Sequence, residues 1–166
     1  MTTCPFAETA KKIAAVAGFI RDSTLHTVSR WHLRLAFIGA TIATQNEDQD
    51  QSTEADRRGN LADALRNIAI DATSTLFDLD VEDPAAAFVA EYERAAAKHP
   101  GMTLDADNHT DETRFYALAE EVGEVAASLT YDNGSSTGHS ADTIAEVTQV
   151  GALALAWLTR YQDGEK

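Results

Sequence analysis

Apolar residues recur at spacings of three and four along most of the chain, the period of helices that each bury one face. Six helices are predicted. The first covers about residues 6–20 with Ile13, Val16 and Ile20 on one stripe, and the second about 27–44 with Trp31, Leu35, Ile38 and Ile42. Residues 45–60 are polar, with Asn46 to Gln51 unbroken by any apolar position, and read as a loop. The third helix spans about 61–79, on Leu65, Ile68, Ala72 and Leu76. Asp83 caps a fourth that has Pro84 in its first turn and runs to about Lys98, before Pro100-Gly101. After a linker, Thr110 caps a fifth over about 111–129, with Leu118, Val122, Val125 and Leu129 aligned. Residues 131–139 read as a loop lying over the pocket mouth as a lid, with Asp132 and Asn133 as speculative contacts, and Ser140 as the cap of a sixth helix ending near 161. That last helix is apolar on every side from Val150 to Leu158, which predicts a central, buried position.

The two halves repeat weakly. Each reads as a short helix, a linker, a longer helix, a polar loop and a final apolar helix. Arg30 falls opposite Arg114, Gly39 opposite Gly123, and Ala62-Asp63 opposite Ala141-Asp142. One reading is a duplicated unit, residues 5–80 and 84–161, packed as an internal pseudo-dimer within a single domain over 1–166. The alternative is that any two alanine-rich amphipathic hairpins align this well.

Composition sharpens the fold class. Alanine fills 30 of 166 positions, with only 9 Gly and 3 Pro. That favours an all-α helical bundle and argues against sandwiches, Rossmann folds and P-loops, whose turns need glycine. A net charge of −14 argues against binding a nucleic-acid backbone. A single cysteine, Cys4, excludes a cysteine-based zinc site. The five histidines show no metal-ligand spacing. Met1-Thr2-Thr3-Cys4-Pro5 does not read as a secretory signal, and the longest apolar run is short for a membrane span. A cytoplasmic location without membrane association is expected.

The candidate chemistry lies in the fifth and sixth helices. Glu121 sits about 60° round the helix from Leu118, and Glu124 lies one turn further on the same flank. Two carboxylates at the edge of a buried face repel each other unless a cation lies between them, and Mg²⁺ takes such oxygen ligands. Ordinary solvated glutamates are the competing reading. Gly123 between them predicts a close approach by another group. Glu146 and Gln149, three apart, open the buried sixth helix and would face the first pair. Trp31 and Trp157 fit core stripes better than base-stacking positions.

Glu120-Glu121-Val122-Gly123-Glu124, followed by Glu146-Val147-Thr148-Gln149, resembles the MazG-like nucleotide pyrophosphohydrolases. These belong to the all-α NTP pyrophosphatase superfamily, with the dimeric dUTPases and phosphoribosyl-ATP pyrophosphohydrolases. Lys98-His99-Pro100-Gly101, Arg114, Leu118 and Gln149-Val150 through Leu158 extend the resemblance over about residues 84–161. It implies that Glu121, Glu124 and Glu146 hold Mg²⁺ (Mn²⁺ as the alternative ion). Glu120 would be a further ligand or would orient the attacking water. Gln149 stands where the superfamily usually has Asp, as a weak, neutral ligand. The implied reaction is attack of water on the α-phosphorus of a nucleoside triphosphate, releasing pyrophosphate and a monophosphate. Lys98, Arg114 and Arg160 are the candidate phosphate contacts, with ordinary surface cations as the alternative. The first half has Ala36, Phe37 and Ala40 opposite Glu120, Glu121 and Glu124, and Asn67 and Ile70 opposite Glu146 and Gln149. It is therefore expected to be an acid-free scaffold, in a chain that is either a monomeric pseudo-dimer or a homodimer. The second functional reading is a catalytically degenerate module that binds a nucleotide or a protein partner.

Overall fold

The computed structural model describes residues 4–17, 24–44, 53–129 and 142–162. They form α1 (Ala7–Ala17), α2 (Thr24–Ala43), α3 (Glu54–Asp78), α4 (Pro84–Lys98), α5 (Asp111–Ser128) and α6 (Thr143–Gln162), with no strand among them. The fold is an all-α bundle. None of the described helices is long and apolar enough to cross a membrane.

The start signals act largely as their chemistry dictates. The Asp83 carboxylate accepts from Ala86 N at 3.0 Å and Pro84 opens α4, while the Thr110 hydroxyl accepts from Thr113 N at 3.2 Å at the start of α5. Two starts differ from expectation. α3 begins seven residues before its first buried leucine. Thr53 and Asp56 form a capping box there, and an Arg57–Glu54 pair supports the exposed first turn. α6 is capped by Asp142, whose Oδ1 accepts from Ile144 N at 3.1 Å and Ala145 N at 3.2 Å. Ser140, the expected cap, lies outside the described residues, as do the loops over 45–52 and 130–141, Asp132, Asn133 and the proposed lid.

α3 and α6 make the central contact of the bundle. α1 and α2 pack on α3, α4 and α5 pack on α6, α1 meets α4 and α2 meets α5. Exchanging the first three helices for the last three turns the α1 and α2 contacts on α3 into those of α4 and α5 on α6 and leaves α3–α6, α1–α4 and α2–α5 in place, while a smaller α3–α4 contact has no counterpart of equal extent. Trp31, Ile38, Leu65, Ile68 and Leu76 from one half, with Phe88, Leu118, Leu155, Trp157 and Leu158 from the other, are fully buried in one core. Each such side chain contributes about 1.5–3 kcal/mol by leaving water. Both tryptophans are packing residues. Val16 and Leu129, placed on buried stripes by periodicity, are instead exposed.

Glycine marks the tight spots. A Cβ at Gly151 would stand 2.2 Å from the Phe88 ring, so α4 seats that ring directly on the α6 backbone. A Cβ at Gly39 would meet the Phe115 ring at 3.2 Å, where α2 crosses α5. Gly123 is exposed, and nothing lies within 4 Å of a Cβ built there, so the close approach expected at this position does not occur.

The linker between α4 and α5 is pinned from beneath. Arg114 is 4% exposed. It donates from Nε to Leu104 O at 2.7 Å, from Nη2 to Ala106 O at 2.7 Å and from Nη1 to Asp111 Oδ1 at 3.0 Å. Tyr92 donates to Asp105 at 3.0 Å from the other side. This fixes the wall of the cleft in which the candidate site lies.

Candidate metal centre

Glu121 and Glu124 lie one turn apart on α5, and Glu146 lies in the first turn of α6. The packing of these two helices brings one carboxylate oxygen from each residue to within 4.8 Å of the others. The Ser128 and Thr143 hydroxyls hydrogen-bond at 3.0 Å and tie the end of α5 to the start of α6. The helix N-terminus partly compensates the negative charge of Glu146. Glu146 is nonetheless only 3% exposed.

Such an arrangement is electrostatically strained. Burial pushes the Glu121 carboxyl up to about 7, with further contributions from Glu124, Glu146, Glu120 and Glu91. Glu121 Oε2 is buried and has no hydrogen-bond partner among the described residues. A buried carboxylate oxygen without a donor is rare in a folded protein, and a cation is one group that satisfies it. The donor set is all carboxylate oxygen, which suits Mg²⁺ or Mn²⁺ and not a thiophilic metal.

Gln149 lies one turn beyond Glu146 and donates from Nε2 to Glu146 Oε2 at 2.9 Å. It therefore orients a member of the triad. Glu120 is exposed on the lip of an adjoining cleft of about 510 Å³, which Glu121 and Gln149 also line. Lys98 stands on the α4 wall of the same cleft, and Met102, Leu104 and Leu153 supply apolar surface.

The other two expected phosphate contacts are not there. The Arg114 guanidinium is buried and committed to Leu104, Ala106 and Asp111. Arg160 pairs with Asp107 and lies fourteen residues past Glu146 on the same helix, roughly 21 Å along its axis. Proximity in sequence to the family-like segment selected both residues. Helix geometry places one under the linker and the other at the far end of the bundle.

A different cation lines the cleft. Arg94 lies one turn before Lys98 on α4, ion-paired with Glu91 at 2.6 Å. That pair, and then the more distant Glu121, raise its already high pKa. The signal was present in the spacing Glu91, Arg94, Lys98, which stripes one face of α4. No protein-family model, curated protein or solved structure matches the chain.

Proposed function

We propose that the chain is a divalent-cation-dependent nucleotide pyrophosphohydrolase, converting a nucleoside triphosphate to its monophosphate and pyrophosphate. The observation that carries the reading is the convergence of Glu121, Glu124 and Glu146, with one oxygen buried and unpartnered, at the edge of a cleft that also presents Lys98 and Arg94. Those three glutamates would hold Mg²⁺, or Mn²⁺ in its place. Bound there, the ion would offset phosphate charge and lower the pKa of a water ligand.

The chain's own groups supply the rest. Lys98 and Arg94 attract the polyphosphate into a cleft of otherwise acidic surroundings. Glu120, at the lip, accepts a proton from water or orients it. Gln149 holds Glu146 in position. Met102, Leu104 and Leu153 give apolar surface on which a nucleoside is sheltered. The halves' similar packing scheme supports a duplicated unit in which the first half, without counterparts of the three clustered glutamates, is scaffold. With that goes a chain acting as a monomeric pseudo-dimer, or as a homodimer, in the cytoplasm.

One observation favours the degenerate, nucleotide- or partner-binding reading. Gln149 brings no charge, and its amide already bonds Glu146. Pyrophosphate release from canonical and modified nucleoside triphosphates, with and without Mg²⁺, separates the two. Metal-dependent release that vanishes in Glu124→Gln is expected. Absence of release with every nucleotide, together with a Tm that Mg²⁺ and nucleotide leave unmoved, would overturn the catalytic reading.

A further inference from the structure

We propose that Glu91 is a positioning residue for polyphosphate binding: it grips one edge of the Arg94 guanidinium and so turns the other edge to the phosphates. The inference rests on the cleft receiving a polyphosphate, as proposed above, and adds the residue that sets the geometry of its arginine.

Glu91 is a carboxylate in a cleft that has to admit phosphate. It lines that cleft with Glu120 and Glu121, yet it stands outside the cluster of Glu121, Glu124 and Glu146. On charge alone it repels an anionic ligand. Stability does not account for it. The Glu91 and Arg94 side chains are 17% and 54% exposed, and an ion pair open to water on one side contributes little to folding.

The bonds of Glu91 supply a reason for its place. Arg94 donates from Nε to Glu91 Oε2 at 2.7 Å and from Nη2 to Glu91 Oε1 at 2.6 Å. Both carboxylate oxygens thus hold the same edge of the guanidinium. Pairing of this kind fixes the plane of a side chain that otherwise samples many rotamers. Nη1 bonds no described residue. The Nη1–Nη2 edge therefore keeps two parallel N–H donors, the pattern that matches two oxygens of one phosphate.

The core anchors α4 at this level. Phe88, one turn before Glu91, is fully buried against the α6 backbone at Gly151. Tyr92 is buried edge-on to the Phe6 ring, with centroids 5.1 Å apart, and bonds Asp105. From this fixed point Glu91, Arg94 and Lys98 follow one wall of the cleft towards the linker, over roughly 10 Å of helix axis. An elongated anion lying along that wall meets Arg94 before Lys98, on the side of Glu121.

The test uses inorganic tripolyphosphate in excess Mg²⁺, the part common to all nucleoside triphosphates. Its Kd is measured by isothermal titration calorimetry for wild type, Glu91→Gln, Arg94→Met, the double variant and Glu93→Gln. Glu93 is exposed on the same helix and does not line the cleft, so its variant makes the same charge change away from Arg94. Removing an acid should, by charge alone, tighten anion binding. Positioning predicts the opposite sign. Glu91→Gln should weaken binding by about fivefold or more, a coupling usual for residues in contact, and Arg94→Met by about tenfold or more. In the Arg94→Met background, Glu91→Gln should weaken it no further. Glu93→Gln should not weaken it. With a nucleotide that the wild type hydrolyses, KM of Glu91→Gln should rise by the same factor as Kd. A structural role alone would lower Tm and leave Kd unmoved. Unchanged or tighter binding in Glu91→Gln, an equal loss in the Arg94→Met background, or no tripolyphosphate binding by the wild type would overturn the inference. Wild type that binds tripolyphosphate but releases pyrophosphate from no nucleotide would overturn the catalytic reading instead.

Discussion

Replacing Glu121 by glutamine should make the metal-free protein more stable at pH 8. The side chain is half-buried beside Glu124 and Glu146, and its carboxyl is pushed from an ordinary 4.5 up to about 7. Between those two values the folded protein holds a proton that the unfolded chain has released. Stability therefore falls as pH rises through this window and is lowest above it. The shift corresponds to roughly 3 kcal/mol against the charged form. Partial exposure to solvent reduces that to about 2 kcal/mol. Glu121→Gln keeps the shape and removes the charge, so it should gain about 2 kcal/mol at pH 8, some 4–8 °C in Tm for a domain of this size. At pH 4, where the carboxyl is protonated in both states, the gain should vanish. Urea denaturation in EDTA at the two pH values measures it. Saturating Mg²⁺ should then stabilise the wild type and leave the variant unmoved. A variant no more stable than wild type at pH 8, or equally favoured at both pH values, would refute the electrostatic reasoning.

Four further outcomes follow from the packing and the charges. Gly123→Ala should stabilise by about 0.5–1 kcal/mol in chemical denaturation, because the position is an open helix surface, whereas Gly151→Ala should destabilise by about 1–3 kcal/mol through collision with Phe88. Arg114→Met should cost about 2–4 kcal/mol, by leaving the buried carbonyl of Leu104 and the half-buried one of Ala106 without a donor, as read by urea denaturation. Gln149→Asp should tighten Mg²⁺ binding in calorimetry and lower the Tm of the metal-free protein, since it adds another carboxylate beside Glu146.

The fold was legible where burial and helix period coincide. α4 was readable end to end, because Asp83, Pro84 and the Pro100-Gly101 break are strong local signals. α6 was readable as the central helix from its unbroken apolar run. The start of α3 was not. Its first turns are solvent-exposed and carry no apolar stripe, and their order comes from the Thr53–Asp56 capping box and from Arg58. That arginine donates to Arg160 O at 3.2 Å and lies 5.4 Å from the Tyr161 ring centre. A cap in a polar run has no periodicity to betray it.

At the candidate site, the spacing of Glu121, Glu124 and Glu146 carried enough geometry to anticipate their meeting. The acids share a flank of α5 and the first turn of the helix packed against it. The cations were poorly legible. Which arginine reaches a cleft depends on the rotation of whole helices, and Arg114 and Arg160 turn out to brace the linker and the far end. The burial of the Glu121 oxygen was equally invisible, since a half-apolar flank reads the same whether or not a neighbour closes over it.

The central claim is that the three glutamates form a divalent-metal centre, and Mn²⁺ titration followed by electron paramagnetic resonance tests it most directly. The account predicts saturable Mn²⁺ binding to the wild type, displaced by Mg²⁺ and lost in Glu124→Gln while the circular dichroism stays unchanged. Equal binding by wild type and variant, or none by either, would contradict it.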